Sequence, residues 1–148
     1  VIHAGQGVLY AEASDALVEL AERYGPDTLT ACFERLHAES EQQMRAAIAA
    51  LPDGVWEGED HLDDDGVDDQ PIRVAVRVEI RGGEATFDFT GTAPQARGPV
   101  NTTYFIACSA VYYAMKALVA PEVPPNDGCY RPLKVVVPPG TVLSAEPD

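Results

Sequence analysis

The chain has 148 residues, of which 46% are hydrophobic and 23% charged, the proportions of an ordinary globular domain rather than a disordered or fibrous one. Its 24 acids against 10 bases give a formal net charge of −14, a field that repels nucleic acid and anionic membrane surfaces. Three cysteines, Cys32, Cys108 and Cys129, show no CxxC spacing, so neither a disulfide framework nor a zinc knuckle is expected, and a reducing compartment is.

The opening Val1-Ile2-His3 lacks the basic and apolar pattern of a signal peptide, and residues 1–12 carry no clear period. From Ser14 the pattern is helical: Leu17, Leu20, Ala21 and Tyr24 recur at three and four, and Gly25-Pro26 stops the run. Asp27 or Thr28 is then expected to cap a longer helix with an apolar stripe of Leu29, Cys32, Phe33, Leu36, Met44, Ala47, Ile48 and Leu51, ended by Pro52-Asp53-Gly54. Glu19–Arg23 and Glu41–Arg45 stand at i,i+4 in the favourable order. The short link predicts an angled or antiparallel helical pair over 14–52.

Strands follow over 53–148. Val55 to Leu62 is a diluted candidate, interrupted by Gly58, three acids and His61. Ile72, Val74, Val76, Val78 and Ile80 alternate with Arg73, Ala75, Arg77 and Glu79, which predicts a strand with one buried face. Arg81-Gly82-Gly83-Glu84 is hairpin-turn chemistry, and Ala85, Phe87 and Phe89 alternate on the return strand. After a loop over 91–101, Asn101 or Thr102 is expected to cap a third helix to about Val119. Lys116 is its one charge, which predicts a buried helix, and Ala107, Ala110, Ala114 and Ala117 would let another backbone come close. The apolar run Tyr104 to Ala120 is shorter than the ~20 residues of a membrane span. A second Pro- and Gly-rich loop spans 121–132, followed by a short strand, Leu133 to Val137. The fold class is therefore α+β: a long helical pair, an antiparallel hairpin-based sheet and one buried apolar helix. A helix apolar all round, with little else to cover it, reads as an interior segment of something larger.

Few constellations carry chemistry. Aligning Gly66 with the glycine of a calcium loop puts Asp63 and Asp65 at the third and fifth positions, but His61 at the first and Ile72 at the twelfth, where a bidentate Glu belongs. The alternatives left are a solvated acidic turn or a looser divalent site using His61, Asp63 and Asp65. The stretch Asp88-Phe89-Thr90-Gly91-Thr92 ends a strand, where open loops place functional groups, yet it equally reads as an outward-facing turn. The chain has neither GxGxxG nor GxxxxGK[ST] spacing to cradle phosphate. In Asn126-Asp127-Gly128-Cys129-Tyr130-Arg131, Cys129 has no histidine near in sequence to activate it and reads as a buried structural thiol, while Arg131 pairing with Asp127 would brace the loop.

Several segments taken together resemble one family. They are Met44-Arg45-Ala46-Ala47-Ile48 with Leu51-Pro52-Asp53-Gly54, Leu62-Asp63-Asp64-Asp65-Gly66, Asp88-Phe89-Thr90-Gly91-Thr92 with Pro94-Gln95, Gly98-Pro99-Val100-Asn101, Ser109 to Ala114, and Asn126 to Pro132. In this order, across residues 14–143, they resemble the hydantoinase B/5-oxoprolinase family. The resemblance implies a B-type subunit of an ATP-dependent enzyme that opens cyclic amides, cytoplasmic and hetero-oligomeric. ATP would be bound by a hydantoinase A-type partner and a small molecule would be the substrate. Relatives serve as alpha subunits of ketone carboxylases, and a non-catalytic scaffold segment is the third alternative. The family's metal-associated segment lies outside residues 1–148, so no metal ligand is carried over, and Ser144-Ala145 stands where the family usually has Asn-Pro. The site residues expected are Asp88 and Asn101 on one loop and Asn126, Asp127 and Arg131 on the other. Their work would be orientation and electrostatic stabilisation rather than strong-base catalysis.

Overall fold

The computed structural model describes residues 8 and 10–147, so the chain's opening, read above as lacking a signal peptide, lies outside the described residues. The chain divides into two compact units, Val1–Glu39 and Ser40–Asp148.

The first unit holds helix α1, Ser14–Tyr24, and the N-terminal part of helix α2, Pro26–Ala49. One residue links them. Gly25, at φ 80°, donates its N–H to Ala21 O at 2.9 Å to close α1, and its carbonyl accepts from Leu29 N at 3.2 Å to open α2. The expected cap at Asp27 or Thr28 is therefore displaced to Gly25, because Pro26 has a preset helical φ and no N–H to leave unsatisfied. No residue of α1 is buried, so its apolar stripe is not core. Phe33 and Leu36 are exposed as well. The expected Glu19–Arg23 pair is absent among the described ion pairs; the Arg23 guanidinium stacks over the Tyr24 ring at 5.4 Å instead.

The second unit is organised around a four-stranded sheet of order β1 (Gly54–Leu62), β2 (Ile72–Arg81), β3 (Glu84–Asp88), β4 (Leu133–Val136). The diluted strand is real: β1 pairs antiparallel with β2 along its whole length, from Gly54↔Ile80 to Leu62↔Ile72. The β2–β3 hairpin turns at Gly82, φ 57°, whose N–H is held by Asp53 Oδ1 at 2.8 Å. β4 adds a parallel pair to β3, Ala85↔Leu133 to Asp88↔Val136. A parallel neighbour needs a crossover, supplied by helix α3 (Tyr104–Leu118) and the single turn α4 (Asp127–Tyr130).

Alternation along the strands sorts the sheet into two faces. Ile80, Ala85, Phe87, Leu133 and Val135 join Met44 and Ile48 of α2 and Val111 and Met115 of α3 in one core. Met44 and Ile48 are fully buried, so the C-terminal half of α2 belongs to this core whereas its N-terminal half does not. The opposite face carries Glu57 and Glu59 of β1, Arg73, Arg77 and Glu79 of β2, Asp88 of β3 and Lys134 of β4.

The expectation that α3 is buried all round is corrected. It buries Ala107, Cys108, Val111 and Met115, while Phe105 and Tyr113 are 77% and Leu118 84% exposed. One helix face meets the sheet, and nothing within the described unit lies over the other. Of the four small residues expected to admit a backbone, Ala107 is buried and Ala110 and Ala117 are exposed. Thr103, rather than Asn101 or Thr102, caps α3, its carbonyl accepting from Ile106 N and Ala107 N. Among the described residues no helix is long and apolar enough to cross a membrane.

Candidate functional site

Asp88 ends β3 on the polar face. Its Oδ1 accepts from Thr90 N at 2.9 Å, opening the turn that Gly91, φ 98°, completes. The hydrogen bonds from Thr90, aided by Arg77 and Lys134, hold the Asp88 carboxyl below the usual range, so it is ionised at neutral pH. The turn is then stapled back onto β2: Thr92 Oγ1 accepts from Ala75 N and donates to Ala75 O, both at 3.1 Å, and Ala93 N donates to Arg73 O at 2.8 Å. A threonine side chain thus takes the place of a strand partner, and Ala75 becomes buried on the otherwise polar face.

Asp88 lines a groove of about 530 Å³ together with Glu57, Glu59, Arg73, Arg77 and Thr90. Arg73 bonds Glu59 at 2.7 Å, which lowers the Glu59 carboxyl, and also donates to Gly91 O at 2.9 Å. Arg77 pairs with Glu79 along its own strand at 2.9 Å.

Asn101 lies elsewhere. Its Oδ1 accepts from Ala96 N at 2.8 Å and its Nδ2 donates to Ala96 O at 2.7 Å, so the carboxamide braces its own loop. The loop is anchored in turn by Asp65, which the sequence offered as a divalent-cation ligand or as part of a solvated acidic turn. Asp65 is 4% exposed. Its Oδ1 accepts from Asp68 N at 2.6 Å and Val67 N at 2.8 Å, and its Oδ2 accepts from Gly98 N at 2.9 Å. These backbone donors, Asp68 foremost, depress the Asp65 carboxyl. Gly98 is buried against it, and a Cβ there would overlap the Asp65 carbonyl oxygen. The rim is closed by Arg97 with Asp68 at 3.2 Å. Asp65 thus turns inward onto amides; among the described residues no group of three or more His, Cys, Asp or Glu side chains is placed to hold a metal, and the looser His61–Asp63–Asp65 alternative is not formed. The Asp-Asp-Gly spacing signals a side-chain-stabilised turn, but nothing local points to residue 98.

The second loop assembles on α2. Arg131 bridges Asp127 at 2.9 Å and Glu41 at 3.4 Å, and Glu41 continues to Arg45 and on to Glu84, each link at 2.9 Å. Hydrogen bonding, first from Arg45, lowers the Glu41 carboxyl, and Asp127 raises the Arg131 guanidinium. Asn126 Nδ2 donates to the buried Ser40 hydroxyl at 2.8 Å, leaving its own Oδ1 buried without a partner. Cys129 is fully buried and all three cysteines are free. Among the described residues no hydrogen bond or ion pair joins Asp88, Asn101 and the Asn126–Arg131 turn. The five expected residues fall into three places: a groove, a braced loop and an ion-pair chain.

The sequence matches the hydantoinase B/oxoprolinase family over residues 10–148. It is 33% identical over 131 residues to caprolactamase subunit beta of Pseudomonas jessenii, covering 88% of this chain and 22% of that one. It is 30% identical over 140 residues to 5-oxoprolinase 1 of Arabidopsis thaliana, covering 85% and 11%. The fold superposes on the crystal structure of the ATP-dependent caprolactamase from Pseudomonas jessenii with a TM-score of 0.81 at 31% identity, over 92% of this chain and 24% of that one. The chain spans about a quarter or less of the length of these relatives.

Proposed function

Since this chain belongs to the hydantoinase B/oxoprolinase family, we propose that it forms part of the B-type subunit of a cytoplasmic, ATP-dependent cyclic-amide hydrolase. The observation that carries the reading is the joint agreement of sequence and fold with a caprolactamase, at 31% identity and a TM-score of 0.81 over nearly the whole chain. The partner in this proposal is a hydantoinase A-type subunit that binds ATP, in a hetero-oligomer. Neither common phosphate-cradling loop occurs in this sequence, which accords with ATP being held by the partner. Among the described residues no group of three or more His, Cys, Asp or Glu side chains is placed to hold a metal.

Within that reading, this chain's contribution is electrostatic. Asp88 presents an ionised carboxylate on the groove wall, and Arg131 presents a guanidinium held by two carboxylates. Asn101 and Asp127 act by positioning, since their polar atoms are already bonded to protein, and Asn126 acts by positioning through its bond to Ser40 while its Oδ1 stays unmatched. The test is to purify the full natural polypeptide with its A-type partner and follow lactam loss together with ADP release. Coupled turnover that stops without ATP supports the reading. Turnover that needs bicarbonate and a ketone instead would assign the ketone carboxylase alternative and overturn it.

A scaffold role is the second reading, favoured by the outward face of α3. Its polar groups are internally satisfied: Ser109 Oγ donates to Phe105 O at 2.8 Å, and Lys116 Nζ bonds the carbonyls of Ala120, Pro121 and Val123. The exposed side is left apolar.

A further inference from the structure

We propose that the free edge of β1 is a strand-addition surface, occupied by a basic extended segment of the same polypeptide from outside these 148 residues. This goes beyond the hydrolase reading and does not depend on which reaction the enzyme performs.

β1 is the outer strand of its sheet and pairs with β2 alone, residue for residue from Gly54↔Ile80 to Leu62↔Ile72. Its far side therefore carries a row of backbone N–H and C=O groups pointing away from the sheet. Among the described residues no backbone bond outside the β1–β2 ladder reaches this strand. The one side-chain bond to its amides is local, from His61 N to Asp60 Oδ1 at 2.8 Å. Edges that stay in water are ordinarily short, bulged or broken by Pro or Lys. β1 has nine residues in unbroken register, with no Pro and no Lys.

The side chains repeat the message. Trp56, Gly58 and Leu62 stand opposite Val78, Val76 and Ile72, and Val78 stands opposite Phe87, so all share the face that carries the core. Yet Trp56 is 44% and Leu62 42% exposed, and Val74, Val76 and Val78 are only half-buried and lie outside the core cluster. The helices cover the β3–β4 side of this face and leave most of the β1–β2 side open.

Charge and length select the occupant. β1 carries Glu57, Glu59 and Asp60 and neither Lys nor Arg. A second copy paired along the whole strand, parallel or antiparallel, would set Glu57 and Glu59 against carboxylates, and like charges opposite one another destabilise a strand pair. Arg73 answers Glu59 from β2, whereas among the described residues Glu57 has no cation within ion-pair distance. A strand with Lys or Arg beside Glu57 and aliphatic side chains beside Trp56 suits both faces. Its source follows from the relatives: this chain matches only 22% of caprolactamase subunit beta and 24% of the caprolactamase crystal chain. More than three quarters of such a polypeptide is left to supply the strand, at the high effective concentration of an intramolecular partner.

The experiment uses the full natural polypeptide without its partner subunit. Residue-resolved hydrogen exchange should find successive β1 amides slow, where a free edge leaves every second one fast. Photo-cross-linking from Val55→p-benzoylphenylalanine should join β1 to a Lys- or Arg-bearing segment outside residues 1–148. Glu57→Lys should speed exchange along the outer side of β1 roughly two- to fivefold, the range of an exposed charge pair, and Glu57→Gln by less. Fast exchange at every second β1 amide overturns the proposal, as does protection gained only when the A-type subunit is added. Cross-links between isotope-labelled and unlabelled copies would give the edge to a second copy and overturn it too, as would exchange indifferent to both Glu57 changes. None of these results bears on the hydrolase reading, which stands or falls on ATP-coupled lactam turnover.

Discussion

Asp65 and Gly98, 33 residues apart, are locked by one hydrogen bond and one steric exclusion: the Asp65 carboxylate accepts the Gly98 N–H at 2.9 Å, and the Asp65 backbone occupies the space a side chain at 98 would need. This contact fastens the acidic turn after β1 to the loop that Asn101 braces.

Gly98→Ala should destabilise the protein by about 3 kcal/mol, since the obstacle is backbone and cannot rotate away. Gly66→Ala tests a different cost. Gly66 sits at φ 79° with open space around it, so only left-handed strain is added, about 1–2 kcal/mol. Urea midpoints of the two variants should separate in that order; equal midpoints would mean the 65–98 contact is dispensable.

Acid sensitivity follows from Asp65. Backbone amides depress its carboxyl in the folded state, so its stabilisation is complete above the unfolded value, about 3.9. It is lost as pH falls through the lower folded value. Asp65→Asn should be less stable at neutral pH and should flatten the acid limb of the stability curve. Parallel acid limbs for the two proteins would contradict this.

Thr92→Val keeps the shape but strips both bonds to Ala75, leaving a buried N–H and C=O unmatched. A loss of about 1–3 kcal/mol is expected. Thr92→Ser, which retains the hydroxyl, should recover most of it in the same denaturation assay.

Arg131 and Asp127 separate chemistry from bracing. Their pair is largely exposed, at 46% and 71% for the two side chains, so Asp127→Ala should move stability by no more than about 0.5 kcal/mol. In the assembled enzyme Arg131→Ala should lower turnover on the order of ten- to a hundredfold. Unchanged turnover in both, with intact folding, removes this loop from the reaction.

The outward face of α3 yields a solution test. Phe105→Ser with Tyr113→Ser should leave the urea midpoint of the chain within about 0.5 kcal/mol per change, because neither side chain is buried within it. In the full assembly the same pair should impair association, read by sedimentation.

Much of the architecture was legible because it is written in short-range periods. Alternation fixed β2, the paired glycines fixed the hairpin, and spacings of three and four fixed α1 and α2, since these depend on neighbours in sequence. The family, too, could be read from motif order. Long-range pairing was not legible. Nothing near Asp65 names Gly98, nothing near Thr92 names Ala75, and nothing in α3 tells which of its apolar faces the sheet will cover. Asp88, Asn101 and Arg131 look alike in sequence as polar loop residues. Only the folded chain distinguishes a carboxylate left open on a groove from an amide closed on its own loop and a guanidinium threaded into an ion-pair chain. Local pattern dictates backbone geometry, but the partner of a polar atom is set by whichever distant segment folding brings within about 3 Å.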